Sequence, residues 1–298
     1  MKNFLKKIIG VPFAISHRIK VNKESLLWVY ANDKLNDPEK LRLGKKALFT
    51  LISHRSAPKG FKIISYLNAL NDHSELADRF AENMIDQLPF LESQLGQDCM
   101  VDTILNKKNN GLFIEIGVGD GKHISNTYFL EKYRNWTGVL CEPSIKFHDN
   151  IVQQRSAQLV KKAVFDRSGL ELKFSEVDGN EELSTLTEFK KSDTHDRSKD
   201  KEYPVQTISF NDLCKEYLPG KKIDYLSIDT EGSELQILSA IDFSAIDISI
   251  ISVEHNYEKS KLEALTTLLN KWDYTELLPG VFEFDAIFAK NKNGRSLT

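Results

Sequence analysis

The feature that most constrains this chain is a short apolar run followed by three glycines at alternate positions. Residues 111–121 read Gly-Leu-Phe-Ile-Glu-Ile-Gly-Val-Gly-Asp-Gly. The apolar residues at 112–116 are typical of a buried strand. Glycine lets the backbone turn sharply and approach a ligand closely, because it carries no Cβ. A strand that runs into such a turn predicts an α/β fold with a ligand bound at the turn.

The spacing of the glycines separates two classes of cofactor. A dinucleotide fingerprint, Gly-x-Gly-x-x-Gly, would place its third glycine at position 122, which is Lys122. The spacing therefore points away from NAD and towards S-adenosylmethionine, which has no pyrophosphate to bind. An acidic residue inside the strand end also suits a ligand with an ammonium group. The candidate cofactor-binding residues at this strand end are Glu115, Gly117, Gly119, Asp120 and Gly121.

From residue 111 onward, predicted strands and helices alternate, which indicates a parallel sheet with crossover helices. Strands are predicted at 112–116, 138–141, 159–164, 224–228 and 248–253, and shorter strand-like runs at 171–175 and 204–209. Helices are predicted at 124–133, 145–155, 210–217, 234–241 and 259–272. Two closing strands, 274–278 and 285–289, would add an antiparallel strand to the sheet. We assign 106–298 to this domain and 1–105 to a mostly helical extension, with helices at 24–30, 38–53, 60–71 and 74–88.

The N-terminal extension is basic. Residues 1–62 hold 14 Lys/Arg against 4 Asp/Glu, whereas the whole chain has a net charge of −3. This segment is either a solvated helical cap or a surface that contacts phosphates, anionic lipid or an acidic partner. The acidic pI of about 6.2 and the lack of an aromatic and basic stripe near the site argue against nucleic acid as partner.

The compartment is read from the cysteines and from the apolar runs. Three widely spaced cysteines form neither a disulfide framework nor a metal pattern, which favours a reducing compartment. No run reaches the ~18 apolar residues that span a bilayer. We expect a cytoplasmic protein whose N-terminal segment can associate with a membrane surface. The sequence leaves its oligomeric state open.

One internal segment is unusually charged. Lys190–Glu202 contains nine charged residues in thirteen. Such a composition cannot bury a core, so the sequence predicts a mobile loop here. Because it follows the third predicted strand, it would be either a lid over the site or a plain insertion.

Acidic residues follow three further predicted strands at their carboxyl ends, where open α/β sheets bind ligands. Glu142 comes 21 residues after Gly121, the spacing at which a carboxylate accepts the hydroxyls of a ribose. Asp229 and Glu231 follow the fourth strand, and the pair Glu254-His255 follows the fifth. The four residues after the fourth and fifth strands are candidate catalytic residues. One of them acts as a general base, or two or three of the carboxylates hold Mg²⁺. We place the metal-free base first.

Five blocks of sequence resemble a known family. They read Phe-Ile-Glu-Ile-Gly-Val-Gly-Asp-Gly at 113–121, Ser-Asn-Thr-Tyr-Phe-Leu-Glu at 125–131, Leu-Cys-Glu-Pro at 140–143, Ile-Asp-Tyr-Leu-Ser-Ile-Asp-Thr-Glu-Gly-Ser-Glu-Leu at 223–235 and Ser-Val-Glu-His-Asn at 252–256. In content, order and spacing they resemble the FkbM-type family of S-adenosylmethionine-dependent methyltransferases. The resemblance covers about Gly111–Lys290, and the Ile-Asp-x-Glu-Gly-x-Glu block is its most specific part.

The resemblance implies a Rossmann-like seven-strand sheet, the class I methyltransferase fold, and O-methylation, often of sugars in surface glycans or of secondary metabolites. It implies that Gly117, Asp120 and Glu142 contact the cofactor, and that Asp229, Glu231 and the Glu254-His255 pair line the reaction site. A common form of the family has lysine where this chain has Ser227, which puts a charged role at that position in doubt.

Two other functions stay open at this point. One is a nicotinamide-dependent oxidoreductase, against which Lys122 argues. The other is a non-catalytic Rossmann-type binding protein of a polysaccharide-assembly complex. For the methyltransferase interpretation, the expected acceptor is a small molecule or a glycan, and S-adenosylmethionine is the expected cofactor.

Overall fold

The computed structural model describes residues 59–72, 74–192, 197 and 199–291. The helices predicted at 24–30 and 38–53 lie outside these residues, as does most of the basic segment. Among the helices of the described part, none is long and apolar enough to cross a membrane.

Strands and helices alternate through most of the described chain. The strands are β1 (Leu112–Ile116), β2 (Thr137–Cys141), β3 (Gln158–Val160), β4 (Ala163–Phe165), β5 (Glu171–Val177), β6 (Thr185–Leu186), β7 (Asp200–Ser209), β8 (Ile223–Ile228), β9 (Ile248–Glu254), β10 (Tyr274–Leu277) and β11 (Asp285–Lys290). The α-helices are α1 (Lys59–Asp72), α2 (Glu75–Gln87), α3 (Gln97–Ile104), α4 (Tyr128–Arg134), α5 (His148–Gln154), α6 (Phe210–Tyr217), α7 (Glu234–Ser239) and α8 (Lys259–Asn270).

Seven of these strands form the main sheet, in the order β3-β2-β1-β8-β9-β11-β10. Within this sheet, β3, β2, β1, β8 and β9 are parallel to one another. β11 is antiparallel to both β9 and β10. Every residue of β8 and β9 is buried, as expected for central parallel strands covered on both faces. The predicted Rossmann-like seven-strand sheet is therefore confirmed. Its strand order reverses between β1 and β8, where such sheets bind ligands.

A smaller sheet, in the order β4-β7-β5-β6, lies outside the main one. The sequence merged its first strand with β3 in a single predicted strand at 159–164. The chain instead leaves the main sheet after Val160, and β4 pairs with β7. Lys161 and Lys162 interrupt the apolar run between Val160 and Ala163, and the chain passes from one sheet to the other at these two residues.

The helix predicted at 124–133 begins four residues later, at Tyr128. Ile124 has a positive φ of 57°, which a helix does not tolerate. The amide of Asn126 and the hydroxyls of Ser125 and Thr127 instead donate to the Glu115 carboxylate. The segment before α4 is thus held by the end of β1.

The charged segment Lys190–Glu202 is not a uniform loop. Asp200–Glu202 belong to β7 and pair with Ser175–Val177 of β5. Arg197 is 3% exposed. The prediction of a mobile loop was wrong for these residues, because strand pairing and a buried ion pair compensate for their charge. Residues 193–196 and 198 lie outside the described chain.

The helices that precede the main sheet pack on it. Ser74 caps α2, since its Oγ accepts a hydrogen bond from the Ala77 amide at 3.2 Å. The Phe80 ring of α2 packs against the Phe282 ring in a tilted arrangement, with ring centroids 5.4 Å apart. These residues share one hydrophobic cluster with Phe113 of β1. The domain boundary near residue 105 stays a prediction.

Candidate active site

A cleft of about 810 Å³, measured out to open solvent, lies at the carboxyl ends of β1, β2 and β8. The glycine turn and Glu142 line it. The smaller sheet contributes Val164, Phe174 and Leu186 to the lining.

The three glycines of the turn serve different purposes. Gly117 has φ +80°, and a Cβ there would lie 1.6 Å from the carbonyl oxygen of Asp229. Gly119 has φ +57°, and a Cβ there would meet only Glu182 Cγ at 3.9 Å, so this position faces the open cleft. A Cβ on Gly121 would press on α5 through Ile151, 3.1 Å away. Gly117 and Gly121 therefore permit close packing, and Gly119 leaves room for a ligand.

Asp120 does not line the cleft. Its Oδ1 accepts hydrogen bonds from the amides of Lys122 at 2.8 Å and His123 at 2.7 Å. Gly121 is also absent from the cleft wall. Of the six predicted cofactor-binding residues, the structure brings Glu115, Gly117, Gly119 and Glu142 to the cleft, while Asp120 and Gly121 shape the turn beneath it.

Glu142 joins the end of β2 to the glycine turn. Its Oε2 accepts from the amides of Val118 at 2.9 Å and Gly119 at 3.0 Å, and its Oε1 accepts from Ser144 at 2.8 Å. Burial raises the pKa of Glu142 to about 7, although these three amides oppose the rise. A carboxylate has about four acceptor positions, so Glu142 retains capacity for hydroxyl donors from a ligand.

Glu115 is buried under the turn. It accepts hydrogen bonds from Ser125 Oγ at 3.0 Å, from the Asn126 amide at 2.6 Å and from Thr127 Oγ1 at 2.5 Å. The Arg155 guanidinium lies 3.5 Å from its Oε2. Both oxygens of Glu115 thus have protein partners, and its clearest task is to hold the segment that leads into α4.

The predicted catalytic carboxylates do converge. One oxygen each of Asp229, Glu231 and Glu254 lies within 4.8 Å of the others. Burial, followed by the charge of Glu231, raises the pKa of Asp229 well above its usual value. Burial, followed by the charge of Asp229, does the same for the pKa of Glu254. Like charges in one buried place are costly, so each of these groups disfavours ionisation of the others.

Asp229 and Glu231 line the cleft, whereas Glu254 and His255 do not. The His255 amide donates to the Phe284 carbonyl at 2.8 Å, and its Nδ1 has no hydrogen-bond partner in the described part of the chain. Burial, and then the nearby Lys261, lower the pKa of His255. The neutral form of the imidazole is therefore favoured, and the ring is not part of the cleft lining.

Glu231 is held by a residue from the charged segment. Its Oε2 accepts from Arg197 at 2.8 Å, and both side chains are almost fully buried. Arg197 also donates from Nε to the Leu183 carbonyl at 2.6 Å. Thr185 Oγ1 donates to the Glu231 carbonyl at 3.0 Å. We call residues 181–192 together with Arg197 the cover segment, since it crosses the cleft and contacts the end of β8.

Three functional features escaped the sequence. Glu234 folds the Asp-Thr-Glu-Gly turn: its Oε1 accepts from the amides of Thr230 at 2.9 Å and Gly232 at 3.0 Å. Lys261 compensates Glu234 at 2.7 Å. Asn126 lines the cleft beside Glu115. In the sequence, Glu234 belongs to the Gly-x-Glu block and Asn126 to the Ser-Asn-Thr block. These blocks could have indicated both residues, but neither residue directly follows a predicted strand.

The sheet order and the glycine turn at its reversal define a Rossmann-like protein with a ligand site between β1 and β8. Residues 115–276, more than half of the chain, match the methyltransferase FkbM domain, and the chain belongs to this family. The protein is therefore a methyltransferase. No curated protein matches the sequence.

A methyltransferase from Pyrococcus furiosus, known from its crystal structure, is similar over 72% of this chain and 96% of its own length. Their sequence identity is 12% and the TM-score is 0.34. The family assignment rests on the sequence match and not on this likeness.

Proposed function

We propose that the protein is an S-adenosylmethionine-dependent O-methyltransferase whose acceptor is a sugar hydroxyl, in surface-glycan or secondary-metabolite biosynthesis. The main observation that supports S-adenosylmethionine as the cofactor is the placement of Glu142. Its buried carboxylate lines the cleft, next to the one turn glycine whose Cβ position is open. A ribose offers two neighbouring hydroxyl donors for such a carboxylate.

The residues present fit this cofactor. Glu142 would hold the ribose, Gly119 would admit close approach of the ligand, and Asn126 would face its other end. S-adenosylmethionine, when bound, supplies an electrophilic methyl group. The protein then has to align an acceptor oxygen, remove its proton and keep water away.

Asp229 is the best placed general base. It lines the cleft, and its raised pKa makes its carboxylate form a stronger base than that of an exposed aspartate. Glu231 is engaged with Arg197, and Glu254 with Asn256 Nδ2 at 2.7 Å. These two act on Asp229 through their charge, and the cover segment excludes water above it.

Binding of the cofactor is tested by isothermal titration. Wild-type protein should bind S-adenosylmethionine, and Glu142→Ala should weaken binding by about 1–3 kcal/mol through loss of charge-assisted hydrogen bonds. Glu276→Ala, on edge strand β10, is the matched control and should bind normally. Unchanged affinity in a folded Glu142→Ala protein would remove Glu142 from the site. A thermal shift with NAD but not with S-adenosylmethionine would favour the oxidoreductase instead.

Catalysis is tested with a panel of nucleotide sugars and glycans. With a true acceptor, Asp229→Asn should lower kcat by about 10²-fold or more while cofactor affinity changes little. Asp224→Asn, at the opposite end of β8, is the control. The effect of His255→Ala should be much smaller, because the ring lies outside the cleft. Full activity of Asp229→Asn would end its assignment as the base.

The same assay decides whether Mg²⁺ takes part. The three converging carboxylates offer oxygen ligands of the type that Mg²⁺ prefers. In a metal-dependent reaction, activity would vanish with EDTA and return with Mg²⁺. We place the metal-free base first, since Arg197 already compensates one of the three. Methyl transfer to none of the acceptors would leave the non-catalytic binding protein as the better interpretation.

We also propose a cellular compartment for the protein and a contact with the membrane surface. The three cysteines are free and buried, in keeping with a reducing, cytoplasmic compartment. Membrane contact by the basic residues 1–62 would bring the enzyme to a lipid-linked acceptor. Binding of a peptide of this segment to anionic vesicles tests that contact.

A further inference from the structure

We propose that the Asn126 side chain receives the ammonium group of the ligand's amino-acid end, and that Ser227 positions it. This inference rests on the proposed function, because it names the partner of one end of S-adenosylmethionine. The sequence instead favoured Glu115 for the ammonium group. In the structure, both oxygens of Glu115 accept hydrogen bonds from the segment 125–127.

Asn126 is buried, at 7% exposure, and yet lines the cleft. Its Oδ1 accepts no hydrogen bond from the described part of the protein. Its Nδ2 donates to Ser227 Oγ at 2.9 Å, and its backbone amide donates to Glu115. The residue is therefore held on two sides, with one acceptor left for something that enters the cleft.

A buried chain of hydroxyls lies behind the Asn126 amide. Ser252 Oγ donates to Ser227 Oγ at 3.3 Å, and Tyr225 and Ser252 share a hydrogen bond of 2.7 Å. Ser227 and Ser252 lie side by side on β8 and β9, and each is 1% exposed. With Nδ2 directed at Ser227, the carbonyl oxygen of the amide is the free atom.

The position in the sheet indicates which ligand group is meant. Glu142 stands at the end of β2, while Asn126 lies against β8, on the other side of β1. A ligand whose ribose rests on Glu142 therefore extends its amino-acid end, or its adenine, towards Asn126. The cluster of Asp229, Glu231 and Glu254 is on this side as well, and its negative potential favours a cation over an adenine ring. A cationic donor to a buried carbonyl makes a strong hydrogen bond.

The test compares two ligands that share adenosine and sulfur but differ in the amino-acid end. S-adenosylhomocysteine carries the ammonium group, and 5′-methylthioadenosine lacks it. By isothermal titration, Asn126→Ala should lower affinity for S-adenosylhomocysteine about 10–100-fold and leave affinity for 5′-methylthioadenosine unchanged. Ser227→Ala should give a smaller loss, about threefold to tenfold, again for S-adenosylhomocysteine only.

Asn83→Ala is the matched control. Asn83 is also a buried asparagine whose Oδ1 has no partner in the described chain, but it lies on α2, away from the cleft. It should leave both affinities unchanged. Asn126→Leu keeps the shape of the side chain and replaces Asn126→Ala if the alanine variant fails to fold.

The outcomes separate the two proposals. Equal losses for both ligands, or no loss for either, would overturn the role of Asn126 while the cofactor assignment stands. If wild-type protein binds neither ligand, the proposed function itself fails and this inference fails with it.

Discussion

At the scale of single residues, Gly117 shows how tightly the turn is built. The Gly117 amide donates to the Cys141 carbonyl of β2 at 3.0 Å. On the other side of β1, the Asp229 amide, which follows β8, donates to the Ile116 carbonyl at 2.9 Å. The turn is thus fixed between β2 and β8. No side chain fits at position 117, because its Cβ would lie 1.6 Å from the Asp229 carbonyl oxygen.

Gly117→Ala should destabilise the protein far more than Gly169→Ala. Both glycines have nearly the same φ, +80° and +79°, but a Cβ on Gly169 would meet nothing within 4 Å. The control should lose only the cost of positive φ, about 1–2 kcal/mol. Gly117→Ala should lose about 1–3 kcal/mol more, from backbone displacement. Urea unfolding of the two variants measures the difference, and equal losses would contradict the close approach.

At the scale of elements, the cover segment connects the smaller sheet to the end of β8. Gly232 has φ +132°, and a Cβ there would lie 2.5 Å from Ser192 Oγ. The glycine of the Asp-Thr-Glu-Gly turn is therefore the place where the cover segment passes. The buried Arg197–Glu231 ion pair fastens it.

Arg197→Gln should loosen the cover segment. Removing one partner of a buried ion pair leaves the other charge uncompensated, which costs about 3–5 kcal/mol. Trypsin should then cut faster after Lys190 and Lys191 than in the wild-type protein. Arg167→Gln, which removes an exposed ion pair with Asp166, is the control and should not change the rate. If Arg197→Gln resists trypsin like wild type, other contacts hold the segment.

At the scale of the whole molecule, acidic groups from separate parts of the chain meet beside the site. Asp285 of β11 pairs with Glu254 of β9 in the sheet register, and Gln97 of α3 donates to it at 2.6 Å. Burial raises the pKa of Asp285 from 3.8 to about 6. Between these two values the folded protein binds more protons at Asp285 than the unfolded chain does, so stability falls as pH rises.

Asp285→Asn should therefore become more stable than wild type as pH rises from 4 to 6, with no further change above 6. The expected gain is about 3 kcal/mol, at 1.36 kcal/mol for each unit by which the pKa is raised. Any offset that does not depend on pH reflects the amide itself. Urea unfolding at pH 4, 5, 6 and 7.5 gives the profile, and a flat difference between the two proteins would contradict it.

Asp247→Asn supplies a control of opposite sign. Burial acts to raise the pKa of Asp247, but hydrogen bonds and charge from Lys222 and Lys290 outweigh it and lower the pKa. A lowered pKa gives stability that is present above 3.8 and lost as pH falls. Asp247→Asn should therefore become less stable relative to wild type as pH rises from acid values.

The sequence by itself determined the features that local patterns encode. The apolar run Leu112–Ile116 before alternating glycines predicted β1 and its turn, and acidic residues after strands predicted where Glu142, Asp229 and Glu231 would lie. These inferences hold because the carboxyl ends of parallel strands meet at one edge of the sheet, whatever the connections between them.

Only the tertiary structure decided which of those side chains are free to act. Glu115 and Asp120 look alike in sequence as acids beside glycines, yet each is engaged with nearby amides or hydroxyls. Asn126 carried no sign of its open acceptor, because that depends on Ser227, 101 residues away. Arg197 was read as part of a mobile loop, because its partner Glu231 also comes from a distant strand end. Hydrogen-bond and charge partners that are distant in sequence are set by packing, and periodicity does not report them.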